Sequence, residues 1–274
     1  MSGRHSGAEM RHTVEGTDPG LFVEVHRPEQ VSALPPVLLI HGFASSARLN
    51  WQDTGWLNAL LKAGRTVITV DFPGHGQSTA PEDMDSYAPS RIRADLLQIA
   101  YDAGARPVRE GDASSGLDII GYSFGARLAW ELGATQRGLV RRMVLGGPAR
   151  HDPLAAFDLR AAQQYLADGT PITDASTASL LKMAQLLPSN NIFALLTLVE
   201  AVKVEPFDPA EAAPSMPVLL IAGDQDERAD TIPELISLLP GGTAQQVIIP
   251  GRTHFNAITS RMFKDAAIEF LAKD

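Results

Sequence analysis

Short aliphatic runs alternate with segments of helical periodicity along most of the chain. Six runs rich in Val, Ile and Leu end at or near Gly or Pro, which predicts buried strands at residues 36–42, 66–72, 116–121, 141–147, 217–223 and 244–251. Apolar residues recur at helical spacing between them, at residues 54–64, 90–104, 123–135, 231–242 and 258–273. Nearly continuous apolar strands separated by helices are typical of a mostly parallel sheet covered on both faces. The pattern therefore predicts an α/β fold.

One long segment departs from this alternation. Residues 149–214 contain no convincing strand, and three stretches within them have helical character, separated by Pro and Gly. The flanks of this segment are rich in Pro, as linkers often are. We therefore predict a core formed by residues 1–148 and 215–274, with residues 149–214 as a helical cap inserted between two strands of the sheet.

Composition and charge narrow the classes of function. Of the 274 residues, 45% are hydrophobic and 20% are charged, which is ordinary for a folded protein with one large core. A net charge of -9 argues against a nucleic-acid partner, because the phosphate backbone attracts basic surfaces. The chain has no cysteine, so disulfides, thiolate nucleophiles and cysteine-bound metals are excluded.

Nothing in the sequence indicates a membrane protein or a cofactor protein. No apolar run approaches the roughly 18–20 residues of a membrane span. The N-terminal segment also lacks the apolar centre of a signal peptide. No group of residues has the spacing of metal ligands. We therefore expect a cytoplasmic protein that acts on a small molecule without metal or cofactor, and its oligomeric state is left open.

The sequence GYSFG at residues 121–125 provides a candidate nucleophile. Ligands of parallel sheets bind beyond the carboxyl ends of the strands, and Ser123 lies between a predicted strand and a predicted helix. Two flanking glycines permit the sharp turn that presents a serine hydroxyl, and the Phe124 N–H at the helix N-terminus can stabilise an oxyanion. The alternative is a tight turn that contains a serine by chance.

A serine hydroxyl needs a general base, and the chain has seven histidines. Four of them lie near the predicted carboxyl ends of strands: His41, His75, His151 and His254. His254 is the best candidate, because it follows the last strand in a short loop that leads directly into the C-terminal helix. The alternative for each histidine is a purely structural role.

The base in turn needs an acid to orient it. Asp224 and Asp226 both follow a predicted strand within GDQDE, and we choose Asp226, with Asp224 as the reserve. The resulting order of serine, aspartate and histidine is the one expected for this type of sheet. A second oxyanion donor is the N–H of Phe43, which follows Gly42 at the end of the first central strand.

Together these motifs resemble the α/β-hydrolase family over residues 22–273. The matching stretches are LLIHGF (38–43), DFPGHGQS (71–78), GYSFG (121–125), GDQD (223–226) and GRTHF (251–255). The resemblance implies an eight-stranded, mostly parallel sheet and a helical cap inserted after the sixth strand. It assigns the DFPGHGQS stretch to a structural turn, so His75 has no catalytic role. The turn at residues 121–125 corresponds to what the family calls the nucleophile elbow. A serine at position 123 in this elbow argues against the haloalkane dehalogenases and epoxide hydrolases of the family, which carry aspartate there.

The resemblance also implies a role for each site residue. Ser123 is the nucleophile, Asp226 the acid and His254 the base, while the N–H groups of Phe43 and Phe124 bind the oxyanion. The implied function is hydrolysis of a small apolar acyl or aryl ester through an acyl-enzyme. C–C bond hydrolysis, lactone hydrolysis and cofactor-free perhydrolysis by the same triad remain open. So do a lyase and a receptor without enzymatic activity.

Aromatic and apolar residues near the predicted entrance are candidates for substrate contacts. Trp51, Trp56, Phe157 and Phe193 are the first choices, and the cap also contributes Tyr165, Met183, Leu186, Leu187 and Leu196. The alternative is that these side chains pack within the cap and the core. Arg48 and Arg127 are candidates for holding a carboxylate, although Arg127 can equally form a structural ion pair.

Overall fold

An eight-stranded sheet lies at the centre of the described part of the protein. The structure is a computed structural model that describes residues 10–13, 20–188 and 190–273. The strands are β1 (Met10–Thr13), β2 (Phe22–His26), β3 (Val37–Ile40), β4 (Val67–Val70), β5 (Leu117–Tyr122), β6 (Val140–Gly146), β7 (Val218–Gly223) and β8 (Ala244–Ile249). Their spatial order is β1-β2-β4-β3-β5-β6-β7-β8.

The pairing of the strands confirms the predicted α/β fold. β2 pairs antiparallel with both β1 and β4, and every other neighbouring pair is parallel. β2 is not an edge strand, although the sequence around His26 suggests one, because β1 pairs with its outer side. The N-terminal segment, for which the sequence predicts no signal peptide, lies largely outside the described residues, which begin at residue 10 and omit residues 14–19.

Helices cover both faces of the sheet. The α-helices of the described residues are α1 (Trp56–Lys62), α2 (Pro89–Asp102), α3 (Phe124–Thr135), α4 (Leu159–Asp168), α5 (Ala175–Gln185), α6 (Ile192–Val204), α7 (Ile232–Leu238) and α8 (Arg261–Leu271). Short 3-10 turns occur at Asp85–Tyr87, Glu227–Thr231 and Ala257–Thr259, and a π-helical turn at Arg48–Gln52.

Alternation along the strands divides the interior into two cores. In β3, Leu38 and Ile40 belong to the core that contains residues of α2, α3 and α7. Val37 and Leu39 point the other way, into the core that contains residues of α1 and α8. Because successive side chains of a strand point to opposite faces, an uninterrupted apolar strand must be covered on both sides.

The chain between β6 and β7 contains α4, α5 and α6, in agreement with the three helical stretches predicted there. Each of these helices begins with a side-chain cap, from Asp158, Asp174 and Asn191, that accepts a backbone N–H. We call residues 149–214 the insert. The division of the chain into a core domain and a separate cap domain stays a prediction.

Ion pairs and hydrogen bonds join the insert to the core. Arg127 of α3 binds Asp152 at 2.5 Å and donates to the backbone oxygen of Glu205 at 2.5 Å. Ser90 at the start of α2 donates to the Glu205 carboxylate at 2.6 Å. The insert therefore lies over the carboxyl end of β5, where α3 begins.

Among the described residues, no helix combines the length and the apolar character needed to cross a membrane.

Candidate active site

Ser123 is the single residue between β5, which ends at Tyr122, and α3, which begins at Phe124, and its backbone conformation is strained. Its φ of 56° and ψ of -117° lie in a region that costs a residue with a side chain about 1–3 kcal/mol. Both neighbouring glycines are required by close packing. A Cβ on Gly121 would lie 2.3 Å from the Gly125 oxygen, and a Cβ on Gly125 would lie 2.1 Å from the Ile40 oxygen. The elbow therefore presents the serine side chain at the helix N-terminus.

The structure brings Ser123, His254 and Asp226 into one chain of hydrogen bonds. His254 Nε2 lies 2.9 Å from Ser123 Oγ, and His254 Nδ1 lies 2.7 Å from Asp226 Oδ2. Asp226 follows β7 and His254 follows β8, so the parallel sheet places all three residues at its carboxyl edge. Such an arrangement orients the imidazole so that Nε2 can accept the serine proton.

The reserve candidate Asp224 has a different position. It is exposed, and its Oδ1 accepts the backbone N–H groups of Gly251 and Arg252 at 2.7 and 3.3 Å. Asp224 thus holds the start of the loop that carries His254, whereas Asp226 contacts the imidazole itself. Of the two aspartates, Asp226 is therefore the one that contacts His254, and its role as the acid stays a prediction.

Burial sets the charge states of this group. Burial lowers the pKa of His254, and the positive charge of Arg228 adds to this effect, while the hydrogen bond to Asp226 opposes it. Burial alone would raise the pKa of Asp226, but the hydrogen bond and charge of His254, together with the backbone N–H and charge of Arg228, outweigh it, and the pKa lies below its ordinary value. Near neutral pH, His254 is therefore neutral and Asp226 is ionised, as a general base and its orienting acid require. Tyr122 also holds this histidine by donating its hydroxyl to the His254 backbone oxygen at 2.5 Å.

Phe43 and Phe124 lie beside Ser123 in the wall of the same cavity. Within the described part of the chain, neither backbone N–H has a hydrogen-bond acceptor. Unpaired N–H groups beside a nucleophile are the kind of donors that stabilise an oxyanion. The two residues whose amides the sequence predicts as donors thus both lie beside Ser123, and their oxyanion role stays a prediction.

Polar side chains hold the loop that carries Phe43. The N–H of Gly42 donates to Asn50 Oδ1 at 2.8 Å, and the N–H of Ala44 donates to His75 Nε2 at 3.1 Å. Ala44 has a φ of 56°, so the loop is strained and needs such support. Burial lowers the pKa of His75 to about 3, which keeps its Nε2 free to accept. His75 thus fits the structural role expected for it.

A cavity of about 270 Å³ opens above Ser123. Such a volume lies near the lower end of ligand sites, which span roughly 300–1,000 Å³, and suits a small substrate. Its walls are mainly apolar, and the insert supplies Leu154, Leu180, Met183, Leu186, Leu187 and Phe207. Met183, Leu186 and Leu187 were among the cap residues proposed from the sequence, and the structure places them in this wall.

The four first choices for substrate contacts lie elsewhere, which corrects the prediction. Trp51 and Trp56 are fully buried in the core beneath the site, with ring centres 5.8 Å apart, and Trp56 Nε1 donates to the Ile258 oxygen. Phe157 is buried in the other core, and Phe193 is 77% exposed on the outer side of the insert. Aromatic character and proximity in sequence did not reveal which face each ring occupies.

The charged residues of the cavity agree only in part with those expected. Arg48 is exposed and lies 3.6 Å from Asp53, and Arg127 is engaged by Asp152. Arg127 does line the cavity, and so does Arg228, which the sequence analysis did not single out. The only available signal was its position, two residues after Asp226 in GDQDER. Across the described residues, no three His, Asp or Glu side chains are grouped closely enough to hold a metal ion.

Comparison with known proteins identifies a related family. A family model described as the alpha/beta hydrolase fold matches residues 35–203. The chain is 30% identical over 111 residues to a pancreatic triacylglycerol lipase of Oryctolagus cuniculus, covering 40% of this chain and 23% of the lipase. It is 32% identical over 96 residues to epoxide hydrolase A of Mycobacterium tuberculosis, covering 35% of this chain and 26% of that enzyme. The matches thus span about a quarter of these relatives.

A solved structure extends the similarity to nearly the whole chain. The thermophilic esterase of Thermogutta terrifontis superposes with a TM-score of 0.68 at 20% identity, covering 96% of this chain and 97% of the esterase. At this level of identity the likeness concerns the fold alone.

Proposed function

The chain belongs to the alpha/beta hydrolase fold family, and within it we propose that this protein is a serine hydrolase that cleaves small carboxylic esters through an acyl-enzyme. One observation carries the proposal. The hydrogen-bonded chain from Asp226 through His254 to Ser123 ends at the floor of a small, mainly apolar cavity. An activated serine beneath an apolar wall suits a small apolar acyl or aryl group attached to a carbonyl.

The proposed reaction follows from this geometry. His254 Nε2 takes the Ser123 proton as Oγ attacks the ester carbonyl, and the N–H groups of Phe43 and Phe124 bind the oxyanion. Asp226 stabilises the imidazolium that forms. His254 then gives the proton to the leaving alcohol, and the acyl group stays on Ser123. Water deprotonated by His254 attacks the acyl-enzyme, releasing the acid and restoring the serine.

The names of the relatives favour no single type of bond, since they include a lipase and an epoxide hydrolase. The serine at position 123 supports ester cleavage over epoxide opening, because the resemblance assigns epoxide hydrolases an aspartate in the elbow. Lactones and C–C bonds next to a carbonyl pass through the same kind of oxyanion. They remain alternatives, and a substrate panel separates them.

The test is a panel of p-nitrophenyl esters from acetate to octanoate, assayed with the wild type and with Ser123→Ala. We expect turnover of the shorter esters, and a loss of at least about 10³-fold in the variant, since the nucleophile is removed. The matched control is Ser237→Ala, an exposed serine of α7, which should retain full activity. Undiminished turnover by Ser123→Ala would contradict the proposal.

A further inference from the structure

Arg228 is a cation without a hydrogen-bonding partner in the wall of the candidate active site. In the described part of the chain, no carboxylate or carbonyl oxygen accepts a hydrogen bond from its guanidinium group, and its Nη1 atom is enclosed by protein. An enclosed charged donor without an acceptor is costly, because the group has lost water and gained nothing in return. Such a group in a folded protein requires an explanation.

Two of the carboxylates near Arg228 are already engaged, and Glu227, which also acts on it by charge, is exposed and makes no hydrogen bond to its guanidinium group. Asp226 accepts from His254 and from the backbone N–H of Arg228, and Asp152 binds Arg127. Both carboxylates influence the pKa of Arg228 by their charge, but neither is hydrogen-bonded to its guanidinium group. Nη1 is enclosed, but Nε and Nη2 are not among the enclosed atoms, and because Arg228 lines the cavity an acceptor can approach these two donors from that space.

The other arginines considered for anion binding do not offer this. Arg127 binds Asp152 and the Glu205 oxygen, and its side chain is 5% exposed, so its donors are occupied. Arg48 is a surface residue whose side chain is 76% exposed. Of Arg48, Arg127 and Arg228, only Arg228 combines a guanidinium group without a hydrogen-bond acceptor with a position in the cavity wall beside Ser123.

From this position we infer that Arg228 binds a carboxylate of the substrate. The inference rests on the proposed function and makes it more specific: the preferred ester carries a second, anionic end, as in a short hemiester of a dicarboxylic acid. The planar guanidinium matches the two oxygens of a carboxylate, and the rest of the cavity accommodates the apolar chain and the ester.

The experiment compares two esters that differ only at the far end. Monoethyl succinate carries a carboxylate, and ethyl succinamate carries a neutral amide of the same shape. Hydrolysis of each is followed by titration of the released acid at constant pH, with the wild type, Arg228→Gln, Arg228→Lys and the surface control Arg48→Gln. Charged hydrogen bonds of this kind correspond to roughly 10–100-fold in affinity.

We expect Arg228→Gln to lower the ratio of kcat/KM for monoethyl succinate to kcat/KM for ethyl succinamate by roughly 10–100-fold, mainly through KM for the anionic ester. Arg228→Lys should restore part of the loss, and Arg48→Gln should change neither ester. An equal loss for both esters, or a ratio of the two that Arg228→Gln leaves unchanged, would overturn the inference. Normal turnover of the neutral ester also shows that the variant is folded.

A binding measurement separates this inference from the proposed reaction. Succinate is titrated calorimetrically into Ser123→Ala and into the same protein with Arg228→Gln added. Binding that weakens at least tenfold on loss of Arg228 supports the carboxylate site even if no ester is hydrolysed, in which case the proposed reaction is what fails. Succinate binding that is absent, or equal in the two proteins, refutes the site.

Discussion

Replacing Asp226 by Asn tests the contribution of a single negative charge to the proposed reaction. The carboxylate lies 2.7 Å from His254 Nδ1, and its side chain is 3% exposed, so water screens the pair poorly. Unit charges about 4 Å apart interact by about 4 kcal/mol at an effective dielectric constant near 20. Since about 1.4 kcal/mol corresponds to tenfold in rate, loss of this stabilisation should lower kcat by about 10³-fold. The amide can also donate to Nδ1 and hold the imidazole in the wrong tautomer, which would increase the loss.

The assay is steady-state hydrolysis of p-nitrophenyl butyrate near pH 8, with folding checked by circular dichroism. The matched control is Asp224→Asn, because the amide oxygen of Asn can still accept the two backbone N–H groups that Asp224 accepts. We expect this control to stay within about threefold of the wild type. A loss below tenfold in Asp226→Asn, or an equal loss in both variants, would refute the assignment of Asp226 as the orienting acid.

Other perturbations test the base, the elbow and the core separately. Because burial lowers the pKa of His254, and the base must be neutral, kcat/KM should fall with decreasing pH through a midpoint below 6.5; a midpoint above 7 would contradict this. Gly125→Ala places a Cβ 2.1 Å from the Ile40 backbone oxygen, so it should lower the free energy of unfolding, measured by urea denaturation, by about 1–3 kcal/mol or more. The control Gly138→Ala should leave this free energy unchanged, because a Cβ there meets no atom within 4 Å. Asp118→Asn should lower the free energy of unfolding by about 3–5 kcal/mol, because it leaves the buried Arg65 without its carboxylate. Its kcat should be unchanged, and an unaltered urea midpoint would contradict the prediction.

The central part of the fold and the triad geometry followed from the sequence because strand and turn chemistry are local. Apolar runs with bounding Gly or Pro marked six of the strands, and the parallel arrangement brought their carboxyl ends to one edge. Ser123, His254 and one of two aspartates could therefore be expected to meet. Choosing between Asp224 and Asp226 required the direction of each side chain, which a two-residue separation does not reveal.

The cavity wall was much less predictable, since it depends on which face each helix presents. Trp56 lies on the apolar face of α1, and the sequence does not show whether this face contacts substrate or packs in the core. In the structure it packs in the core. Arg228 escaped attention for the opposite reason, because an arginine after a turn is commonly a solvated surface residue. The sequence did not predict β1, because its residues are mostly polar and lack the apolar pattern of a strand. Only its backbone pairing with β2 defines it.

Mass spectrometry after treatment with a fluorophosphonate probe tests the central claim most directly, because the probe reacts with activated serines without any choice of substrate. The account predicts one adduct per chain, located on Ser123 by peptide sequencing, absent in Ser123→Ala and formed at least tenfold more slowly in Asp226→Asn. A folded protein that gains no adduct, or one that keeps its adduct in Ser123→Ala, would contradict an activated nucleophile at the elbow.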